Sequence, residues 1–500
     1  MDRDNRNKSN GWQWQRILCF TTLAPFAILL LLLGIITLRT MLISRPLIER
    51  RLQMSLPVVP GLPNDEKSIF ERAERLAGAI RIPTISYSRD NANNKAFLDL
   101  HNYLREKFPH VHNSKYVKLD VINTYSLLYS VTGMDNRLMR PYLLAAHLDV
   151  VPANPDTWEV DPFAGLIVNK TYIYGRGAID YKSGLMVMGF NGAQEIAKEL
   201  HRREVHELDF VIDEGLPILR GIIPGISKNV AGIGVTEKGY VTLELSVTQS
   251  PGHSSVPPRQ SAIGILAAAI TRLEQQQQPY LFGHGPEFAM FQSLLPDMSY
   301  DYRAVFANLW LFSSMVRSIM ERNPKMNAIA RTTTAVTIIA GGEKENVLPS
   351  SARAIVNHRI HPSQTVNDVV EHDERVIKDP RVSIKVLSSR EPHEVSPSGP
   401  VDLPYQLIAA TLRQTFPDTL VAPGVLMGNT DTVWYLQHTK QVYRFFPIVV
   451  TSEDTARYHG NNERISLQDY QGVIDFYYRL IKNADALVDP LPPPRPSDEL

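Results

Sequence analysis

Pro141-Tyr-Leu-Leu-Ala-Ala-His147-Leu-Asp149-Val150 is an apolar run that ends in polar residues. It predicts a strand over Leu143–Ala146. Residues i and i+2 at a strand end share a face, so the His147 imidazole and the Asp149 carboxylate can project together. An Asp beside a metal-binding His commonly fixes the ring through its second nitrogen. Taken alone, the triplet reads more simply as a strand end with two polar residues. Upstream, helical patterns run over Ile69–Ile80 and Lys95–Phe108. Downstream, helix and strand signals alternate, which is the pattern of an α/β domain with a largely parallel sheet.

Three further clusters follow. In Gly175-Arg176-Gly177-Ala178-Ile179-Asp180 the glycines permit a tight turn and put Asp180 near a helix start, where an N-cap is the plain alternative. Phe210-Val-Ile-Asp213-Glu214-Gly215 is an apolar strand ending in two acids. Ligands gather at the carboxyl ends of strands in open α/β sheets; a solvated strand end is the other reading. Tyr458-His459-Gly460 lies far along the chain.

Composition shifts near Gly239. Strands are predicted over Val241–Thr248, Thr333–Ile339, Ala352–Ile360 and Val382–Leu387, and helices over Ser261–Gln278 and Val366–Ile377. After His393 the α/β pattern resumes, with a helix over Pro404–Gln414. One α/β domain (66–239 and 392–489) is therefore interrupted by a smaller α+β domain (240–391).

Lys+Arg and Asp+Glu each number 52, so no basic field exists to attract nucleic acid. The only cysteine is Cys19, which rules out a disulfide framework within the chain and a thiolate metal site. Any metal must be held by His, Asp and Glu. Ile17–Leu38 has no charged residue, and as a helix its 22 residues span roughly 33 Å, the thickness of a bilayer core. A cleaved signal peptide is the rival reading, but its apolar core is shorter and Leu38-Arg39-Thr40-Met41 offers no small-residue cleavage site. We therefore expect a short N-terminal tail (1–16), one membrane helix (17–38), a proline-bearing stalk (39–65) and an extended proline-rich tail (490–500). Cationic residues flank the apolar run on both sides, so charge leaves its orientation open. With the folded part lumenal or extracellular, in an ER or vacuole- or lysosome-like compartment, Asn169-Lys-Thr171 would be a glycosylation sequon.

Taken in order, His147-x-Asp149, the Gly-Arg-Gly-x-x-Asp180 turn, Asp213-Glu-Gly and the late His459 resemble the metal-site series of the zinc-dependent aminoacylase/carboxypeptidase S family. Asp149-Val-Val-Pro152, Pro251-Gly-His-Ser-Ser255, Asn346-Val-Leu-Pro349 and Arg359-Ile-His-Pro362 match as well. The resemblance covers Ile69 to Lys482. It implies a zinc-binding α/β domain carrying a lid or dimerisation domain, a homodimer, and hydrolysis of amide bonds in peptides or N-acyl amino acids. Two zinc ions would be bridged by Asp180. His147 and Asp213 would complete one site, and His459 would belong to the other. Asp149 and His253 would be catalytic: Asp149 orients the first site, and His253 reaches a dimer partner's active site to stabilise the oxyanion. Asn346 and Arg359 would bind the substrate carboxylate.

The chain also departs from that family. The family carries a Glu-Glu pair, general base then zinc ligand, between the bridging Asp and the next metal acid. Here Asp180 is followed by Tyr181–Met188 and then by Gly192-Ala-Gln-Glu-Ile-Ala197, which resembles family sequence lying just after the pair. A parallel crossover needs about a dozen residues or more, so the usual helix-strand unit does not fit. A skipped exon, a non-catalytic isoform and a relocated base are the three readings. An Arg that the family places shortly after Asp431 is also absent.

Overall fold

The computed structural model describes residues 26–42, 56–88, 91–133, 140–188 and 193–486. Its central sheet has five strands in the order Thr419–Leu426, Asn229–Glu237, Val442–Val450, Val211–Leu219, Leu143–Leu144. Leu143–Leu144 and Val442–Val450 run parallel to Val211–Leu219, and Thr419–Leu426 runs parallel to Asn229–Glu237. Asn229–Glu237 is antiparallel to both Val211–Leu219 and Val442–Val450. The sheet is therefore mixed, where the sequence pattern predicts it largely parallel. Only residues 220–228 join Val211–Leu219 to Asn229–Glu237. That connection is too short for a crossover, so the chain must reverse.

Both faces of this sheet are covered. Phe210 and Ile212 pack with Leu76, Ile80, Phe476, Tyr477 and Leu480 from the helices Glu66–Ile80 and Leu467–Ala486. Val211, of opposite parity, packs with Ile196 and Leu200 of the helix Ala193–Arg202.

The inserted domain is a four-stranded antiparallel sheet, ordered Thr333–Gly341, Ser351–Ile360, Gly239–Thr248, Val382–Arg390. Along Gly239–Thr248, Val241, Leu243, Leu245 and Val247 are fully buried, while Tyr240, Thr242, Glu244 and Ser246 are half-buried. The buried set packs under the helices Ala262–Gln275 and Val366–Ile377. Thr365 and Asp368 form a reciprocal capping box at the second helix.

Four helices that the sequence pattern does not single out, Glu287–Leu294, Tyr300–Ala307, Leu309–Glu321 and Pro324–Ala330, lie between the lid helix Ala262–Gln275 and the strand Thr333–Gly341. Their Phe291, Leu294, Val316 and Met320 pack on Ile226, Val230, Leu420 and Ala422 at the edge of the central sheet. The inserted segment thus grips the domain it interrupts.

Of the predicted membrane span, residues 17–25 lie outside the described residues, and 26–41 are helical. Among the described residues no helix is long and apolar enough to cross a membrane. The span expected over Ile17–Leu38 is therefore not supported by the fold. The stalk residues 43–55 and the tail 490–500 also lie outside the described residues.

Candidate metal centre

His147 and Asp180 meet at the carboxyl end of the central sheet. His147 Nδ1 lies 2.9 Å from the Asp149 backbone carbonyl, which can only accept, so Nδ1 carries the proton and donates. That leaves Nε2 as the ring nitrogen that faces the acids of the cluster. Nε2 lies 3.1 Å from Asp180 Oδ1 and 3.3 Å from Glu214 Oε2. The Asp149 carboxylate is 3.4 Å from Nδ1 and backs up the carbonyl. The other oxygen of Asp180, Oδ2, is 2.7 Å from His459 Nε2. One carboxylate thus spans two imidazoles, the geometry expected of a bridging ligand.

A buried knot holds this arrangement. Glu463 Oε1 accepts backbone N–H groups from Gly177, Ile179 and Asp180 at 3.0, 2.7 and 3.0 Å. Its Oε2 accepts from Arg176 Nη1 at 2.7 Å, and Arg176 Nη2 donates to the His459 carbonyl at 3.2 Å. The Asp180 turn and the His459 turn are therefore locked to each other. Gly177 adopts φ +94°, and a Cβ there would meet Val150 and Lys182. Lys182, also buried, donates to the Ala79 carbonyl at 2.9 Å and to that of Ile82.

Charge in the cluster is concentrated. Burial disfavours the charged form of His147, but Glu214, Asp149 and Asp180 outweigh it and hold the imidazole well above its usual range. Burial likewise opposes ionisation of Asp180, yet hydrogen bonds from His147 and His459 hold that carboxyl well below the usual range. Glu214 is pushed up, first by burial.

The strand Val211–Leu219 brings Glu214, and not Asp213, to His147 and Asp180. One ligand atom from each of His147, Asp180 and Glu214 lies within 4.8 Å of the others. Successive strand residues face opposite ways, so only one of two neighbouring acids can join the cluster. Asp213 is buried in a small cavity with Ala145, Ala146, Ile196, Asp431 and Tyr435. Its Oδ1 accepts from the Glu214 N–H at 2.8 Å, and its Oδ2 has no hydrogen-bond partner among the described residues. Burial, with Glu214 and Asp431 nearby, pushes this carboxyl far up. A one-nitrogen, two-oxygen set of this kind suits a borderline divalent ion.

The other residues singled out from the sequence lie apart from the cluster. His253 is exposed on the short strand Gly252–His253, with Nδ1 2.7 Å from Ser255 Oγ. Asn346 sits beside that loop, its carbonyl accepting from the Ser254 N–H at 3.1 Å. Arg359 is on the outward face of the lid sheet and donates to Asn429. Asn169 is exposed in a turn at φ +50°, and its carbonyl accepts from Thr171 Oγ1 at 3.0 Å. Glu195 pairs with Lys198, and Glu199 with Arg202 and Arg203, so both acids of that helix are engaged elsewhere. Sequence reasoning gave Glu214 no ligand role and Arg176 no role, and it missed Glu463. The Arg lies inside the quoted turn, but nothing local announces a Glu 287 positions away.

Comparison with known proteins agrees with this geometry. The profile of Peptidase family M20/M25/M40 matches residues 143–483. N-fatty-acyl-amino acid synthase/hydrolase PM20D1 of Xenopus tropicalis is 42% identical over 504 aligned positions, covering 95% of this chain and 96% of that protein. The Homo sapiens protein of the same name is 41% identical, covering 85% of this chain and 91% of its own length. Carboxypeptidase S of Saccharomyces cerevisiae is 30% identical, with 82% and 84% covered. Among solved structures, the M20 family metallo-carboxypeptidase Sso-CP2 of Sulfolobus solfataricus superposes with a TM-score of 0.54 at 18% identity, covering 83% of this chain and all of that one. A mixed sheet carrying an inserted lid, a carboxylate shared between two histidines, and a profile match over most of the chain together make this protein a member of peptidase family M20/M25/M40, an amidohydrolase by family.

Proposed function

We propose that this chain is a zinc-binding member of the family, built to act on the amide bond of peptides or N-acyl amino acids, with turnover impaired by the loss of its general base. The observation that carries the reading is the Asp180 carboxylate, held between His147 and His459 with Glu214 closing one side. His147, Asp180 and Glu214 would hold one zinc, and the second position would keep only Asp180 and His459, too few for an ordinary site. Bound zinc supplies carbonyl polarisation and a water of lowered pKa.

The chain's own residues do the positioning. The Asp149 carbonyl fixes the ring of His147, and Glu463 aims Asp180 through three backbone amides. The missing part is the family's Glu-Glu pair, whose first member would take the water's proton, a role typically worth about 10²–10⁴-fold. Glu214 is engaged with His147, and Glu195 and Glu199 with cations. A non-catalytic isoform that binds ligand or pairs with active copies is the second reading, favoured by the same want of a base.

Metal analysis and amidase assays test the first reading. We expect at most one tightly bound zinc per chain and almost no turnover of N-acyl amino acids or dipeptides. Inserting a family-like helix-strand segment with its Glu-Glu pair after Met188 should raise both. Glu214→Gln should lower zinc affinity more than Asp213→Asn. Two zincs and full activity in the chain as it stands would overturn the reading.

Two further parts of the proposal concern surroundings. The lid would pair two chains and offer His253 across the interface; a purified protein sedimenting as a monomer at micromolar concentration would count against it. The apolar N-terminal stretch would anchor the chain with its folded part lumenal or extracellular. Phe26, Leu29, Leu31 and Leu38 expose their side chains along the helical residues 26–41. Protease protection and glycosylation at Asn169 test that orientation.

A further inference from the structure

The outward face of the lid sheet carries a row of three side chains at the hinge. Tyr240 lies opposite Arg359 on one neighbouring strand and opposite Arg390 on the other. Its neighbour Val241 points into the lid core, so this row faces away from the lid helices. The two guanidinium carbons lie 5.9 and 5.8 Å from the centre of the Tyr240 ring. Cations within about 6 Å of an aromatic face are attracted to it.

Neither guanidinium has a carboxylate partner among the described residues. Arg359 donates to Asn429 Oδ1, and Asn429 donates to the Lys238 carbonyl at 2.9 Å. That bond ties the row to the loop that carries Asp431. The Asp431 carboxyl lines the small cavity that also holds Asp213, the neighbour of Glu214 in the cluster. The row is therefore joined to the cluster through that loop. Arg359 is exposed and Arg390 half-buried, so both are open to a ligand.

Two unpaired guanidiniums on one ring repel each other, and an anion between them removes the repulsion. A single carboxylate is already satisfied by one bidentate guanidinium. The second cation therefore asks for a second acid. Backbones two strands apart are separated by about 9–10 Å, a gap that long side chains leaning over a shared ring can close around a dicarboxylate.

We propose that Arg390, paired with Arg359 across Tyr240, is a specificity-determining residue that selects substrates with an acidic amino-acid head group, such as N-acyl aspartate or glutamate or a peptide ending in one. Arg359 takes the carboxylate next to the scissile amide, and Arg390 takes the side-chain carboxylate. This rests on the amidohydrolase reading above.

The test is equilibrium binding to the zinc-loaded full chain, which does not depend on turnover. N-acetyl-glutamate and N-acetyl-leucine are titrated calorimetrically into the wild type, Arg390→Met and Arg359→Met. A charge-assisted bidentate contact predicts about tenfold tighter binding of N-acetyl-glutamate, lost in Arg390→Met while N-acetyl-leucine is unchanged. Arg359→Met should weaken both ligands, and Arg390→Lys should restore part of the preference. Equal binding of the two ligands by the wild type, or an equal loss of both in Arg390→Met, overturns the assignment and leaves the amidohydrolase reading standing. Failure of both ligands to bind removes the two together.

Discussion

Glu463 and Glu237 are both fully buried carboxylates, and each grips a buried arginine, Arg176 in one case and Arg444 in the other. They are built differently. Glu463 is held mainly by backbone: three amide N–H groups converge on one oxygen. Glu237 is held by side chains: Thr430, Thr432 and Arg444 donate to its Oε1, and His393 lies 3.7 Å from its Oε2. Burial wins at Glu463 and pushes its carboxyl up. At Glu237 burial is outweighed by Arg444 and His393, and the carboxyl is pulled down. A backbone knot fixes the path of the loops that carry Asp180 and His459. A side-chain knot ties three separate segments together where the central sheet hands over to the lid. The first belongs to the candidate metal centre, and the second to the junction of the sheet with the inserted segment.

Removing one partner of a buried pair leaves the other charge stranded, at a cost of about 3–5 kcal/mol. Glu463→Gln should show that full loss in urea unfolding and, through the released Asp180 turn, about 10–100-fold weaker zinc binding. Arg444→Met should cost about 3 kcal/mol by the same argument and leave zinc affinity unchanged. If zinc binding falls equally in both variants, the two knots are one unit and the contrast fails.

A pH experiment sharpens the difference. Burial pushes the His393 imidazole down to about 4, with Glu237 opposing and Arg444 reinforcing. In the unfolded chain the ring protonates near pH 6.5. Between these values the unfolded state binds the extra proton and the folded state does not. Stability is therefore full above pH 6.5 and falls by up to ~3 kcal/mol as the pH drops towards 4. His393→Gln should flatten the pH profile over that window; an unchanged profile would remove His393 from the side-chain knot. The smallest effect expected is for Thr365→Ala, which removes one half of a capping box that belongs to neither knot. It should cost about 1 kcal/mol and change neither zinc binding nor the pH profile.

The elements legible in the sequence are those set by local pattern. The helix Val366–Ile377 begins and ends as the periodicity predicts, because Thr365 and Asp368 mark its start and its apolar spacing is regular. The lid strand Gly239–Thr248 follows from strict alternation. The four helices from Glu287 to Ala330 were not legible. The first and third bury Phe291, Leu294, Val316 and Met320 against a strand more than a hundred residues away, so their pattern has meaning only once that strand is in place.

His147, Asp180 and His459 were readable as candidates because each sits in a short motif of turn and strand-end residues, and their order along the chain points to metal-dependent amide chemistry. Sequence also determined that any metal must be bound without thiolate, since the lone cysteine lies in the apolar N-terminal run. The choice between Asp213 and Glu214 was left to the tertiary structure. Both acids lie within the strand Val211–Leu219, which continues past the point where the sequence pattern ends it and passes close to a distant residue: a Cβ at Gly215 would meet the backbone of Arg444. The pairing of Arg176 with Glu463, and of Tyr240 with two arginines, arose in the same way. Side chains from distant segments become neighbours only when sheet order and register are set, and these depend on the core as a whole.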